Sequence, residues 1–366
     1  MAETVRHVRI VGGGFTGLAC AIFALQHPLV KRVELLDPSV PASTLGRGAS
    51  AASAGLMHPL TRLGKEIWKG YEGYIATKEL MENVERETGR TIRQSGVDII
   101  RKGGFGKIIG ADITIDGGMV LDPLEYLTGL WEYAEIEASN LGKEVIWQQG
   151  KIDSHDDLIK NALEMKERSF NNPNGNGILI CAMGAGTSSH VWGCSRGLPI
   201  TYELGRNLIL NNDLALNKAY LRGEYVVPNH GLKKIIFGAT HERENDKSTM
   251  NKYSHYQKLR SRIMSKELYS QTTELWREGK EEKILPVGAE ERIGVRVKTP
   301  RTHLGRIPIA GRHSPSPSQL DCTWLITGFG SRGLIHHALV SRMVVDAALN
   351  DDPSMIPQEL SINNCI

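Results

Sequence analysis

The amino-acid sequence predicts an α/β protein, on three observations. The apolar run Val8–Val11 leads into three consecutive glycines and then into a helix-like stretch of small residues. A second strand-like run, Arg32–Asp37, follows that helix. Near the other end of the chain, Thr323–Leu334 again reads as a strand, a glycine turn and a helix start. Strands that alternate with helices in this way are typical of a parallel sheet covered by helices.

The glycine-rich turn after the first strand predicts a dinucleotide-binding site. Gly12, Gly14 and Gly17 have the spacing G-x-G-x-x-G, with Phe15 and Thr16 between the last two. The first glycine allows a tight turn, the second lets backbone approach a pyrophosphate, and the third lets the helix pack closely on the strand. The pyrophosphate would then lie at the N-terminus of the helix, where the helix dipole favours negative charge. The alternative is a glycine-rich surface turn.

An acidic residue closes the second strand. Asp37 lies ~20 residues beyond the glycines, where a carboxylate binds the ribose hydroxyls of an adenosine. The alternative is an ordinary acidic residue at the end of a strand.

Within the run Gly46–Pro59, the eight residues Gly48–Gly55 are all glycine, alanine or serine and contain almost no side-chain bulk. Such a run lets a flat ligand lie against backbone, whose N–H groups can meet phosphate oxygens. We therefore expect Ser50, Ala51, Ala52 and Met57 to contact the cofactor. A flexible linker is the alternative, but the apolar residues that follow immediately favour a packed segment.

Two further glycine turns follow apolar strands, one in the middle of the chain and one near its end. A nicotinamide-dependent dehydrogenase needs a single glycine fingerprint, whereas a terminal strand–glycine–helix unit that returns to the same site indicates a larger cofactor, which favours FAD. The residues expected to contact it in these turns are Gly184, Gly186, Gly328, Gly330, Ser331, Arg332, Gly333 and Leu334.

The order of these elements predicts the α/β (α+β overall) fold of a Rossmann-like FAD-binding domain, built from discontinuous segments, with an inserted β-rich substrate domain. We assign residues 1–66, 120–197 and 297–366 to the first domain, and 67–119 and 198–296 to the second. Hydrophobic periodicity predicts helices over Ile67–Thr88, Leu124–Leu141, Tyr253–Glu278 and from Leu334 to about Leu349, and a strand over Ile92–Arg101. Asp122 and Pro123 form an N-cap signal before the second of these helices.

Composition limits the class of protein. The 366 residues include 40% hydrophobic and 23% charged residues with a net charge of +3, as in a soluble globular protein, and this charge alone does not predict a nucleic-acid partner. The five cysteines form no C-x-x-C pair, which predicts reduced thiols and neither a disulfide framework nor a metal site. No apolar run reaches ~18 residues and no targeting segment is visible, so we expect a location in the cytoplasm, or in an organelle with the targeting segment removed.

Together these segments resemble the FAD-dependent D-amino-acid oxidase superfamily, in its glycine oxidase and sarcosine oxidase branch. The resemblance covers most of the chain, and the segments occur in the family's order. They are Gly12–Gly17 with Asp37, Ser50–Met57, Ala182–Gly186, Tyr225–Pro228, Phe237–Thr240, Gly294–Arg296 and Gly328–Leu334.

The resemblance implies oxidation of a C–N bond in an amino acid or N-substituted glycine. A hydride passes to flavin N5, the resulting imine is hydrolysed, and oxygen or another acceptor reoxidises the flavin. Arg296 matches the family's Gly-x-Arg segment, and its planar guanidinium suits a substrate carboxylate. Its neighbours Arg292, Arg301 and Arg306 leave open that it is one surface arginine among several.

Three other residues complete the expected catalytic set. Arg332 precedes the last helix, and we expect it to contact flavin or substrate. The alternative is a purely structural role. Tyr225 and His241 end apparent strands and would line the pocket, and a neutral histidine could keep the substrate amine unprotonated. Some relatives attach flavin through a cysteine, but none lies between Cys194 and Cys322, so we expect non-covalent FAD.

Two alternatives for the function remain. Gly48–Leu60 and Gly330–Leu334 also resemble the oxidase half of the bacterial bifunctional enzyme that matures 5-carboxymethylaminomethyl-uridine in tRNA, although its methyltransferase half is absent from this sequence. The basic clusters Lys65–Lys69, Arg101–Lys107 and Lys298–Arg306 would favour tRNA if they formed a stripe leading to the flavin. The second alternative is a redox protein that binds FAD without turnover.

Overall fold

The computed structural model describes residues 5–40, 48–61, 64–94, 97–102, 112–115, 118–170, 175–193, 197–211, 218–221, 225–229, 231, 233–239, 241–243, 289–312 and 320–361. The predicted helix Tyr253–Glu278 lies outside these residues, as do Gly46 and Arg47. Statements below concern the described residues.

Six strands form a mostly parallel sheet that helices cover. The bounds are β1 Val5–Val11, β2 Val30–Asp37, β7 Glu144–Gln149, β8 Gly175–Cys181, β15 Ile309–Arg312 and β16 Thr323–Thr327. Their order is β15-β16-β8-β1-β2-β7, and every neighbouring pair is parallel except β15 and β16. The apolar run that comes first in the sequence therefore forms a central strand.

The helices that cover this sheet bury most of the core. The bounds are α1 Phe15–Gln26, α2 Gly70–Thr88, α3 Pro123–Asn140, α4 His155–Phe170, α5 Ser189–Trp192 and α6 Gly333–Asn350. Helix α1 is buried along nearly its whole length, from Phe15 to Leu25, because it packs between the sheet, α3 and α6. The Asp122 carboxylate accepts hydrogen bonds from the N–H groups of Leu124 and Glu125, which confirms the predicted N-cap of α3.

A second sheet contains eight strands. The bounds are β4 Asp98–Lys102, β5 Asp112–Thr114, β9 Thr201–Asn211, β10 Lys218–Leu221, β11 Tyr225–Asn229, β12 Lys234–Gly238, β13 Glu242–Arg243 and β14 Glu290–Lys298. Their order is β13-β9-β12-β11-β10-β4-β5, with β14 also paired to β9. The pairs β11–β12, β12–β9 and β14–β9 are all antiparallel. A short ribbon, β3 Leu56–Met57 and β6 Met119–Val120, completes the strands.

The mixed α/β fold class is confirmed, with corrections to three element boundaries. The strand predicted over Ile92–Arg101 begins only at Asp98, since Ile92 and Arg93 instead bind the Glu85 carboxylate through their N–H groups. Helix α2 begins at Gly70 because Lys69 has a φ of 44°, which a helix does not allow. Strand β12 ends at Gly238, so His241 does not end it and instead precedes β13. The division into two domains stays a prediction.

Candidate active site

The glycine fingerprint is a point of close backbone contact. Gly12 has a φ of +110°, and a Cβ there would lie 2.4 Å from the Ala182 carbonyl oxygen, at the end of β8. A Cβ on Gly17 would lie 1.7 Å from the Gly12 carbonyl oxygen. A methyl group fits at neither position, so these glycines hold the turn and let α1 pack directly on β1.

The N-terminus of α1 is open to an anion. Its N-cap residue, Gly14, has no side chain to accept a hydrogen bond, and its first turn contains no acidic residue. The Phe15 N–H donates to the Ser50 Oγ at 3.2 Å, so the small-residue run lies against this turn. The Phe15 ring is buried against Tyr126 and His337, and Thr16 accepts a hydrogen bond from Ser341 through its carbonyl. Backbone N–H groups near a positive helix end suit a pyrophosphate.

Asp37 stands at the carboxyl end of β2, where the sequence predicts it. Its Oδ2 accepts the Gly13 N–H at 2.6 Å, and its Oδ1 accepts the Ser39 N–H at 2.8 Å. Trp147 supports this corner, because its indole N–H donates to the Ser39 carbonyl and its ring would clash with any Cβ on Gly13. The Ser39 hydroxyl also donates to Oδ1, so Oδ2 is the oxygen that keeps a lone pair for a further donor. Its role with ribose stays a prediction.

The small-residue run is packed and is not a linker. Ala51, Ala52 and Ala54 are all buried. The run lies between the fingerprint turn and the second sheet, where a Cβ on Gly294 would approach the Ala52 Cβ to 2.8 Å. Met57 is buried in the core with an exposure of 1%, so only its backbone is available to a ligand.

The two later glycine turns lie at the carboxyl ends of β8 and β16, on the same edge of the parallel sheet as the fingerprint. Each is a single turn of 3-10 helix, Gly184–Gly186 and Gly330–Arg332. Gly184 and Ser331 are exposed, and Gly184, Gly328 and Gly330 have positive φ. Gly333 begins α6, and Leu334 after it is buried. Ligands of open α/β sheets bind outside the carboxyl ends of the strands, and the exposed, side-chain-free backbone at this edge fits an extended cofactor.

The second sheet presents a group of charged side chains beside this edge. Strand β14 pairs with β9 so that Arg296 lies opposite Glu203 and Gly294 opposite Gly205. Lys298 forms a bridge with Phe329, and a Cβ on Gly330 would lie 3.3 Å from the Lys298 side chain. The charged strand end therefore touches the turn Gly330–Arg332.

One carboxylate links these charges. Glu203 Oε1 accepts from Arg296 Nη2 at 2.9 Å and from His241 Nδ1 at 2.7 Å, and Glu203 Oε2 is bound by Lys298 Nζ. We call Glu203, His241, Arg296 and Lys298 the charge cluster. Because His241 Nδ1 donates to Glu203, it does not also accept from Arg296 Nη2, 3.2 Å away.

The cluster fixes the charge of its members. Burial would raise the pKa of Glu203, but the hydrogen bonds from Lys298 and His241 and the charge of Arg296 lower it below the usual range. Partial burial lowers the pKa of His241, and the nearby Arg296 and Lys298 charges act in the same direction against the Glu203 hydrogen bond. Burial also lowers the pKa of Lys298. At neutral pH the cluster holds a carboxylate, a guanidinium, an ammonium and a neutral imidazole.

Tyr225 belongs to the same face of this sheet. The prediction that it ends a strand is wrong, because it begins β11, opposite Gly238. Its ring lies so close over Gly238 that a Cβ there would approach it to 1.9 Å. Its hydroxyl donates to the Asn207 Oδ1 at 2.9 Å, and the Asn207 amide donates in turn to the Ala52 carbonyl. Burial raises the pKa of Tyr225. Sequence reasoning missed Asn207 and Glu203, because a single polar residue in a strand has no distinctive spacing.

Arg332 differs from Arg296 in having no counter-ion. Its guanidinium has no hydrogen-bond or ion-pair partner among the described residues, and burial lowers its pKa. The adjacent His336 and His337 are buried and neutral; their Nε2 atoms lie 2.8 Å from the Trp68 carbonyl oxygen and 3.0 Å from the Tyr126 hydroxyl. An uncompensated arginine at the edge of a site is suited to an anionic ligand.

The family comparison agrees with this arrangement of backbone. Residues 7–102 match the family model described as DAO, FAD dependent oxidoreductase. This part of the chain is therefore similar to FAD-dependent oxidoreductases of that family. The matched residues contain the fingerprint turn, Asp37 and the small-residue run, and FAD is the cofactor that the description of the family model names.

Solved structures of three enzymes are similar in fold over nearly the whole chain. Glycine oxidase from Geobacillus kaustophilus aligns over 99% of this chain and 100% of its own, with a TM-score of 0.65 and 15% identity. L-proline dehydrogenase from P. horikoshii covers 98% of this chain and 97% of its own, at a TM-score of 0.67 and 13% identity. Iminodiacetate oxidase from Chelativorans sp. BNC1 covers 97% and 98%, at a TM-score of 0.57 and 16% identity. No curated protein sequence matches the chain, and none of its described helices is long and apolar enough to span a membrane.

Proposed function

We propose that this protein is an FAD-dependent enzyme that oxidises the C–N bond of an amino acid or an N-substituted glycine. The observation that carries the proposal is the position of Lys298, which comes from the second sheet and touches the turn Gly330–Arg332, with Arg296 two residues away on the same strand and bound to the same carboxylate. Cations at this point would hold a substrate carboxylate beside the cofactor. Structural neighbours named as oxidases of glycine and iminodiacetate, and as a dehydrogenase of L-proline, support this substrate class.

The cofactor would be held mainly by backbone. In this proposal the fingerprint turn and α1 bind the pyrophosphate, Asp37 the ribose, and the two later turns the flavin end. FAD, once bound, supplies the oxidant that takes up the hydride of the substrate. The residues proposed to contact it are Gly12, Gly14, Phe15, Thr16, Gly17, Asp37, Ser50, Ala51, Ala52, Met57 (through its backbone), Gly184, Gly186, Gly328, Gly330, Ser331, Arg332, Gly333 and Leu334.

Arg296 and Arg332 are the proposed carboxylate ligands. Arg296 Nη2 is bound by Glu203, which holds the guanidinium in place, and the planar fork of a guanidinium matches the geometry of a carboxylate. Arg332 has no counter-ion among the described residues, so an incoming carboxylate would compensate its charge. Two such contacts would fix the α-carbon and reduce its freedom before reaction.

His241 and Tyr225 are proposed to act on the amine side. The imidazole is neutral at pH 7 and carries its proton on Nδ1, so Nε2 is the basic atom and could take a proton from an ammonium substrate. The Tyr225 hydroxyl is committed as a donor to Asn207, which leaves its oxygen as an acceptor for a substrate N–H.

Anaerobic reduction of the flavin tests the function. Glycine, sarcosine, iminodiacetate, D-amino acids and bulk tRNA that carries the carboxymethylaminomethyl group are each mixed with the holoprotein, and the flavin absorbance is followed. Bleaching by a small amine supports the proposal, and peroxide formation in air then identifies oxygen as the acceptor. Bleaching by none of them contradicts it and favours a redox protein without turnover.

The role of Arg296 is tested by replacement with methionine. Arg296→Met removes a charged hydrogen-bond donor, so KM for the carboxylate substrate should rise about tenfold to a thousandfold. Arg301→Met, in the exposed turn after β14, is the matched control and should leave KM unchanged. An unchanged KM in Arg296→Met contradicts the assignment.

Non-covalent attachment remains part of the proposal. Cys20 and Cys181 are fully buried, and burial raises the pKa of both thiols, that of Cys20 to about 12. Thiols of this kind are unreactive. Acid precipitation should release all the FAD into the supernatant, whereas flavin that stays with the pellet contradicts the expectation.

One observation keeps the tRNA alternative open. Of the three basic clusters, Lys298–Arg306 adjoins the charge cluster, and its Arg301, His303 and Arg306 are exposed. An exposed basic loop beside the site could bind phosphates of a large substrate. Bleaching by the modified tRNA, and by none of the small amines, would favour this function.

A further inference from the structure

The carboxylate of Glu203 holds three groups from separate parts of the chain. Arg296 and Lys298 reach it from β14, and His241 is the residue that precedes β13. Only 9% of its side chain is exposed, compared with 14% for Arg296 and 18% for Lys298. All three charged side chains are therefore largely buried, and Glu203 is the least exposed of them.

One of the two cations touches the turn Gly330–Arg332, and the other lies two residues away on the same strand. Lys298 contacts that turn directly, and the Arg296 guanidinium lies across Gly205, where a Cβ would be 3.1 Å from Nη2. A side chain at position 205 would push Arg296 away. The glycine therefore lets Arg296 lie flat on the sheet with one nitrogen on Glu203.

We propose that Glu203 is a specificity-determining residue that limits how much negative charge the substrate can carry. The inference rests on the proposed function, in which Arg296 and Lys298 face the substrate. By compensating one of the two cations, Glu203 matches the cluster to one carboxylate and disfavours a second one.

The sign of the effect follows from Coulomb's law. Glu203 repels every anionic group at the site, so a dicarboxylate is repelled about twice as strongly as a monocarboxylate. Neutralising Glu203 should tighten the binding of both, and that of the dicarboxylate more. For charges about 6 Å apart near a protein surface, the difference is on the order of tenfold or more in selectivity.

The other charges that face the cluster do not change with this replacement. Arg306 lies near Lys298, and Arg332 lies in the adjoining turn. Both are cations at neutral pH, and His241 is neutral there. Glu203 is thus the one negatively charged member of the charge cluster.

The experiment measures anion binding to the FAD-loaded protein at pH 7 through changes in flavin absorbance, with acetate and malonate as the mono- and dicarboxylate. Glu203→Gln should lower the malonate dissociation constant relative to that of acetate about tenfold. The ratio of kcat/KM for iminodiacetate to that for sarcosine should rise in the same direction. The matched control is Glu291→Gln, which removes a carboxylate of β14 that pairs with Arg206, and it should leave both ratios unchanged.

Two more variants separate charge from support of the fold. Glu203→Asp keeps the charge and should keep the wild-type selectivity even if kcat falls. Lys298→Met removes a cation and should shift selectivity toward acetate. A purely structural Glu203 would change stability and kcat but neither ratio.

The outcomes separate the two proposals. Unchanged ratios in Glu203→Gln, in an enzyme that oxidises these amines, contradict the inference and leave the function intact. Anion binding with the predicted shift, but without flavin reduction by any amine, supports the inference and contradicts the function. A wild-type protein that binds neither anion contradicts both.

Discussion

The carboxyl edge of the parallel sheet and the face of the antiparallel sheet build their sites in opposite ways. At the parallel edge the working surface is backbone: Gly12, Gly17, Gly184 and Gly330 leave N–H and C=O groups exposed or in close contact. On the antiparallel face it is side chains, with Glu203 joining two cations and an imidazole. A glycine at one of the closest backbone contacts cannot be replaced without moving the chain. In a cluster of side chains, by contrast, each substitution can change the charge of the site without moving the backbone.

The largest expected effect comes from a substitution in the glycine-rich turn at the parallel edge. Gly17→Ala would place a Cβ 1.7 Å from the Gly12 carbonyl oxygen, so α1 must move away from β1. We expect FAD binding to weaken a thousandfold or more, measured as the flavin-to-protein ratio after purification.

The control for Gly17→Ala is Gly142→Ala. Gly142 also has a positive φ, but nothing lies within 4 Å of the position of its Cβ, so the cost is only about 1 kcal/mol of backbone strain. Full flavin content in Gly17→Ala would show that the fingerprint does not need its close contact.

The second largest effect is a loss of stability in acid, which should differ between the two regions. His336 and His337, on α6 beside α1, have pKa values lowered by burial from 6.5 to about 4. The unfolded chain therefore binds more protons than the native one between these values, and stability falls as the pH drops through that window. Each histidine should cost about 2 kcal/mol between pH 7 and pH 5.

Glu203 affects the stability of the fold over a lower range of pH than the two histidines. Its lowered pKa stabilises the native state above about pH 4.5, and that contribution is lost as the pH falls through the native pKa. Thermal melts at pH 7 and pH 5 should thus show a loss that His337→Phe reduces and Glu203→Gln does not. An equal loss in wild type and His337→Phe would contradict this assignment.

The smallest effect concerns the antiparallel face alone. Gly238→Ala pushes a methyl group into the Tyr225 ring, which must swing away from Asn207. We expect a stability loss of about 1–3 kcal/mol and lower kcat/KM, with flavin content unchanged. Gly231→Ala, whose nearest neighbour is an Asn229 oxygen 3.8 Å away, should show neither change. Loss of flavin in Gly238→Ala would mean that the two regions are not separable.

The same contrast explains what the sequence could predict. Gly12, Gly17 and Asp37 have a fixed local spacing set by one turn and one strand, so the local pattern alone predicts their arrangement. Glu203 and Lys298 meet although they are 95 residues apart. That pairing depends on the register of β9 and β14, which no local pattern specifies.

Two segments of the chain differ from what the sequence predicts. Helix α4, His155–Phe170, was not predicted, although its buried residues Leu158, Ala162 and Met165 have the i, i+4, i+7 spacing of a helix. The β-branched residue Ile92 favours a strand, but its N–H donates to the Glu85 carboxylate and the strand begins only at Asp98. That hydrogen bond joins residues seven positions apart, and local periodicity does not specify it.

The strand order β15-β16-β8-β1-β2-β7 has a consequence for how the protein is made. Strands β1 and β2 leave the ribosome first, but β16 and α6, which supply the last turn of the proposed cofactor site, follow nearly 300 residues later. The nascent chain therefore exposes one side of α1, and half of the proposed site, until synthesis reaches α6. A cofactor that needs both halves of the site can bind firmly only after α6 has been synthesised. Binding of FAD would therefore indicate that the fold is complete.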